Sequence, residues 1–104
     1  MRAPGSIYYL FLYILECSDG TYYTGVTNNL DIRLIQHQQG LNREAYTYSR
    51  RPVKLVFWEG FTDVNYAIEC EKRIKKWSKK KKEALITGRF DDLPLLAKKK
   101  FNKK

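Results

Sequence analysis

The chain has 104 residues, 43% hydrophobic and 14% aromatic, which suffices for one domain with a single modest core and not for two. Twenty Lys and Arg stand against eleven Asp and Glu; the resulting formal charge of +9 and pI near 9.6 point to a polyanionic partner. Two cysteines make no disulfide framework and one histidine cannot assemble a zinc site, so disulfide scaffolds and zinc modules are excluded.

The charge is uneven. Residues 1–71 carry six basic and eight acidic side chains, net −2, whereas residues 72–104 carry fourteen basic and three acidic, net +11. Such a back half is either a surface for phosphates or a solvated tail, and Ile74 and Trp77 among its first cations favour the surface. Cys17 and Cys70 lie in apolar surroundings and read as buried free thiols of a reducing cytoplasm. Arg2, the apolar run Ile7–Leu15 and Cys17 have the outline of an export signal. However, Glu16 stands where a small residue belongs, and the run is too short to span a bilayer. A cytoplasmic protein with no membrane partner is expected.

Residues 1–6 read as an unstructured lead. Ile7–Glu16 is aromatic and β-branched without polar interruption, the pattern of a strand covered on both faces. A turn at Ser18-Asp19-Gly20 leads to a second strand, Thr21–Thr27. A two-residue turn would send Tyr13 and Tyr23 to opposite faces. A three-residue loop with Gly20 left-handed pairs Cys17 with Thr21, sets Tyr13 opposite Gly25 and Tyr23 opposite Leu15, and makes the tyrosines diagonal neighbours. The three-residue loop is the expectation, with Tyr22 on the other face.

Asn28, with Asp31 three residues on, resembles a capping box for a helix that runs to Gln39 and stops at Gly40. Arg33 and His37 share one of its faces by their i, i+4 spacing. Residues 41–52 form a basic loop, Val53–Glu59 a third strand, and Asp63 caps a helix expected to run about sixteen to twenty residues. On that helix, at 100° per residue from Ala67, Glu71 falls at about 40°, inside the apolar arc, while Glu69 falls at about 200°, beside Arg73 and Lys76. A core-facing carboxylate calls for a partner, either a bound cation or an ion pair with Arg33. Lys79–Lys82 continue or follow the helix, Ala84–Gly88 suggests a further turn, and Phe90–Lys104 a short helix with a cationic tail. The domain is expected to span 1–88 and the basic tail 89–104.

Phosphodiester cleavage needs an activated water, a positive group on the scissile phosphate and help for the leaving oxygen. Clustered tyrosines, an Arg/His pair and one inward Glu could supply these. In order, Phe11-Leu12-Tyr13, Tyr23-Thr24-Gly25, Thr27 to Leu34 with His37, Tyr46-Thr47, Arg50 to Val56, and Glu71 with Ile74-Lys75-Lys76-Trp77 stand at a known family's spacing. Over about residues 8–87 the chain resembles the GIY-YIG nuclease superfamily, in particular small stand-alone members related to the N-terminal domain of the excinuclease C subunit. It departs from the pattern at Phe11, where the first motif has glycine, and at Val26, where repair-type relatives often have lysine.

The resemblance implies an α+β fold, a three-stranded antiparallel sheet flanked by helices in the order ββαβα with a C-terminal helical tail. It implies hydrolysis at one divalent metal, Mg²⁺ or Mn²⁺, held by Glu71. Tyr13, Tyr23, Arg33, His37 and Tyr46 would be the catalytic residues. Tyr23 and His37 are rival bases: a free phenol ionises near pH ~10, so a tyrosine base calls for a nearby cation, and Arg33 is the candidate. Arg50, Arg51, Lys72, Lys75, Lys76 and Lys79 are the candidate nucleic-acid contacts, with DNA ahead of RNA and a protein partner for targeting. The expected activity is a metal-dependent DNA endonuclease of repair type. The alternatives are a non-catalytic basic nucleic-acid-binding module and an RNA-directed or ribosome-associated factor. Each site residue also has a plain structural reading: core aromatics for Tyr13 and Tyr23, and a helix C-terminal cation for His37.

Overall fold

The computed structural model describes residues 8–88. Three strands, β1 (Leu10–Glu16), β2 (Tyr22–Thr27) and β3 (Lys54–Phe61), form one antiparallel sheet in the order β2-β1-β3. Helix α1 (Leu30–Gln39) follows β2, and α2 (Val64–Lys75) and α3 (Lys79–Ile86) follow β3. The expected α+β class and ββαβα order therefore hold, with α3 as an added helix. The unstructured lead, the start of the first strand at Ile7 and the tail at Phe90–Lys104 lie outside the described residues.

The uninterrupted apolar run of β1 reflects its central place, since Phe11 to Leu15 are all fully buried. Alternation sends Leu12 and Ile14 into a core with Ala67, Cys70, Ile74 and Leu85 of α2 and α3. Phe11, Tyr13 and Leu15 pack on the opposite face with Leu30, Leu34 and Val53. Both cysteines are free and buried. Against β1, Ile14 pairs with Phe57 but Leu15 with Leu55, so Val56 is a bulge residue. The extra residue keeps Leu55 and Trp58 opposite Leu15 and Tyr13, on the face covered by α1.

The Ser18–Gly20 loop has the expected register. Gly20 has φ +85°, its N–H donates to the Cys17 carbonyl at 3.0 Å, and Tyr13 lies opposite Gly25 with Leu15 opposite Tyr23. Strand β2 starts at Tyr22 in place of Thr21, and three further boundaries differ from expectation. The N-cap of α1 is Asn29, not Asn28: its side chain accepts from the Ile32 N–H at 3.1 Å, which lets Leu30, as first helical residue, turn into the core. Strand β3 starts at Lys54 and runs on through Gly60 to Phe61. Helix α2 has twelve residues, because Ser78 is extended and its hydroxyl caps α3 by accepting from the Lys81 N–H at 3.2 Å. That break seats Trp77 against the core between the helices. Among the described residues no helix is long and apolar enough to cross a membrane.

Candidate active site

The site starts from the hairpin register. Tyr13 and Tyr23 project to the α1 face with ring centroids 6.2 Å apart. Gly25, opposite Tyr13, makes the room: a Cβ there would stand 2.7 Å from Tyr13 Oη and 3.1 Å from Tyr23 Cε2. No other residue type leaves both rings where they are.

Helix α1 adds the imidazole and the guanidinium from one face. His37 is only 8% exposed; its Nε2 lies 3.0 Å from Tyr13 Oη and its Nδ1 2.8 Å from Thr47 Oγ1. Burial, and then the Arg33 charge, push the His37 pKa down, so the imidazole is neutral near pH 7 and has one donor and one acceptor nitrogen. Burial, and then Tyr23, push the Tyr13 hydroxyl up to about 12 against the pull of Arg33. Tyr13 is thus a neutral phenol with a proton to share. The Tyr23 ring packs on His37 at 5.2 Å.

The loop after Gly40 closes the site. Tyr46, 41% exposed, stacks on Tyr23 at 6.1 Å with 23° between the planes, and the Arg50 guanidinium covers the Tyr46 ring at 3.9 Å. Arg50 is held in turn by Asp19 at 3.1 Å and by the Tyr46 carbonyl at 2.8 Å. Arg51 donates to the Tyr48 carbonyl and lies over the Tyr48 ring. Both arginines expected to contact nucleic acid therefore already have partners within the fold. A cleft of about 290 Å³ remains, lined by Tyr23, Arg33, Gln36, His37 and Thr47 among others.

Glu71 approaches from the opposite face. Its side chain is 12% exposed and pairs with Lys75, Nζ to Oε2 2.9 Å, in place of the expected alternative partner Arg33, whose Nε donates to Gln36. Glu69 pairs with Arg73 on the solvent side as its helical angle predicts. Lys75 also lines a second cavity of about 320 Å³ with Tyr22, Tyr23, Thr24, Tyr46 and Lys82. β2 is an edge strand. Residues from its two faces, Tyr23 and Tyr22, meet with α2 and α3 around its outer side. Lys72, Lys76 and Lys79 are exposed, Lys79 lying 5.9 Å over the Tyr22 ring.

The family model described as "GIY-YIG catalytic domain" matches residues 9–84. The chain belongs to the GIY-YIG family. Among its relatives, a UPF0213 protein of Bacillus pumilus is 42% identical over 73% of this chain and 76% of its own length. A UPF0213 protein of Syntrophus aciditrophicus is 47% identical over 73% and 87%. The solution structure of a UPF0213 protein from Bacillus halodurans superposes with a TM-score of 0.51 at 38% identity, covering 75% of this chain and 82% of that one. These relatives are small stand-alone members of a nuclease superfamily whose nucleases generally use divalent metal ions.

No group of three or more His, Cys, Asp or Glu side chains clusters among the described residues. The donor set offers a single hard cation one mostly buried carboxylate, Glu71, that already accepts a cationic partner, Lys75, itself on the wall of the second cavity. Sequence reasoning missed Thr47, which holds the far nitrogen of His37. It also missed Lys82, indistinguishable in sequence from the lysines beside it. The Tyr46-Thr47 pair was the only signal for the first, and nothing marked the second.

Proposed function

We propose that this GIY-YIG protein is a divalent-metal-dependent endonuclease that hydrolyses phosphodiester bonds in DNA, with branched or damaged DNA in repair as its substrate. The observation that carries this reading is the convergence of Tyr23, Arg33 and His37 on one cleft, with the Tyr13 hydroxyl behind them 3.0 Å from His37. Arg33 binds the scissile phosphate through a charged planar fork. Tyr23 orients the attacking water and relays its proton, taking it on the hydroxyl oxygen while its own hydroxyl proton passes to solvent. The imidazole is less suited to that role, because both of its nitrogens are engaged and its burial disfavours a gained proton. Tyr13 and Thr47 hold the His37 ring in one orientation, and the neutral ring forms a wall against which Tyr23 rests. Tyr46, clamped by Arg50, closes the other side of Tyr23.

Glu71 would hold Mg²⁺ or Mn²⁺, and a bound ion supplies positive charge for the phosphate and leaving oxygens. Lys72, Lys76 and Lys79, all exposed, would attract the strand outside the cleft. Buried free thiols at Cys17 and Cys70 suit a reducing cytoplasm. The test is nicking of supercoiled plasmid and branched oligonucleotides, DNA beside RNA, with Mg²⁺ or Mn²⁺. Metal-dependent DNA cleavage lost in Arg33→Ala and Glu71→Ala is expected. Tight binding with no cleavage under any metal would leave the protein a non-catalytic binding module.

A further inference from the structure

The second cavity contains a cation that the fold does not neutralise. Lys82 is partly buried in α3 and has no carboxylate partner among the described residues. Two carboxylates of α2 and α3 are engaged elsewhere: Glu83 accepts from the Tyr22 hydroxyl at 3.5 Å, and Glu71 is paired with Lys75. Burial, and then the charge of Lys75, push the Lys82 pKa down, so its ammonium is under strain from both desolvation and repulsion. An anion in the cavity relieves both.

A second, independent observation comes from β2. Thr24 lines the same cavity, is 2% exposed, and its Oγ1 has no hydrogen-bond partner in the fold. Buried hydroxyls are nearly always satisfied, so an orphan beside an unpaired ammonium marks a place for an acceptor. The hydroxyl would reach an anion in the cavity by a turn about the Thr24 Cα–Cβ bond.

We propose that this cavity is a second phosphate subsite, in which Lys82 and Thr24 hold the backbone phosphate next to the one in the cleft. The assignment rests on reading the cleft as a nuclease site. Tyr23 lines both spaces and forms their common wall, so a strand leaving the cleft enters the cavity across the Tyr23–Tyr46 stack. The edge position of β2 leaves that route uncovered by another strand. Lys82 thereby differs from the exposed lysines of the same helix, which offer only long-range attraction.

The experiment measures binding of a short fluorescein-labelled single-stranded DNA to the full chain in EDTA, across a salt series. Lys82→Gln is expected to weaken binding roughly threefold to tenfold and to lower the salt slope by about 0.7, one single-strand phosphate contact. Lys82→Arg should restore most of the loss, and Lys80→Gln, exposed on the same helix, should cost less. Thr24→Val, which replaces an orphan hydroxyl by a methyl, should fold at least as stably and bind more weakly. Equal losses in Lys80→Gln and Lys82→Gln would reduce the effect to diffuse charge and overturn the subsite. Inorganic phosphate binding that depends on Lys82, with oligonucleotide binding unchanged, would overturn its assignment to a nucleic-acid strand. Cleavage is not read here. A Lys82-dependent binder that never cuts leaves the subsite standing without the nuclease, and an active nuclease indifferent to Lys82 does the reverse.

Discussion

Gly25 is where the hairpin, the two tyrosines and the imidazole depend on a single missing methyl group. In Gly25→Ala the new Cβ would stand 2.7 Å from Tyr13 Oη, 2.9 Å from Tyr13 Cζ and 3.1 Å from Tyr23 Cε2, where ordinary contact begins at 3.4 Å. Tyr13 is fully buried and cannot retreat into solvent. Overpacking of this kind costs roughly 1–3 kcal/mol. Pushing the hydroxyl away from His37 Nε2 forfeits about 1 kcal/mol more. The expected destabilisation is on the order of 2–4 kcal/mol, which at about 4–8 °C per kcal/mol for a domain this size is a large fall in Tm. Urea unfolding, followed by the fluorescence of Trp58 and Trp77, measures it. Tyr13→Phe removes the atom nearest the intruding methyl, so the double variant should be less destabilised than the two single losses together, by at least about 0.5 kcal/mol. A Gly25→Ala protein within about 0.5 kcal/mol of wild type, the range of inconsequential surface changes, with unchanged cleavage, would show that neither ring depends on the missing methyl.

Thr47→Val keeps the shape of a fully buried side chain but leaves His37 Nδ1 without its 2.8 Å partner; a loss of about 1–3 kcal/mol in thermal or urea unfolding is expected, together with slower cleavage. His37 should also set an acid limit. Its folded-state pKa lies below its unfolded value, so its contribution is complete above about pH 6.5 and is lost as pH falls through the folded pKa. Urea midpoints measured from pH 7.5 to 5 should decline in wild type and decline less in His37→Gln. Tyr13 sets the alkaline limit: its pKa is raised to about 12, so stability holds below the ordinary phenol value near 10 and falls as pH rises toward 12. Tyr13→Phe should lack that alkaline decline.

Much of this geometry was legible in the sequence because local chemistry and global pattern agreed. Gly20 is the one residue in its turn that readily takes φ +85°, so the three-residue loop fixed the register, and the register put Tyr13 and Tyr23 on one face. The helical angle of Glu71 turned it inward, and that of Glu69 turned it out. What escaped had no periodicity to reveal it. Thr47 reaches His37 from an irregular loop, and the partners of Arg50 and Arg51 are set by that loop's path. The paired asparagines at 28 and 29 offer two caps one residue apart, and only the burial of Leu30 decides between them. Ser78 sits among good helix formers, so the break between α2 and α3 was masked by the lysines that follow. The same run concealed Lys82, whose distinction lies in what packs around it.

In the proposed mechanism the Tyr23 hydroxyl acts on the water at the phosphate held by Arg33. Tyr23→Phe removes one oxygen and leaves the ring stacked between His37 and Tyr46. Cleavage rate and affinity should be measured on the same branched DNA with Mg²⁺ or Mn²⁺. The expected result is a fall in cleavage of at least about 100-fold, the scale of a lost acid–base group, with binding within about twofold of wild type. A Tyr23→Phe protein that cleaves as fast as wild type would contradict it.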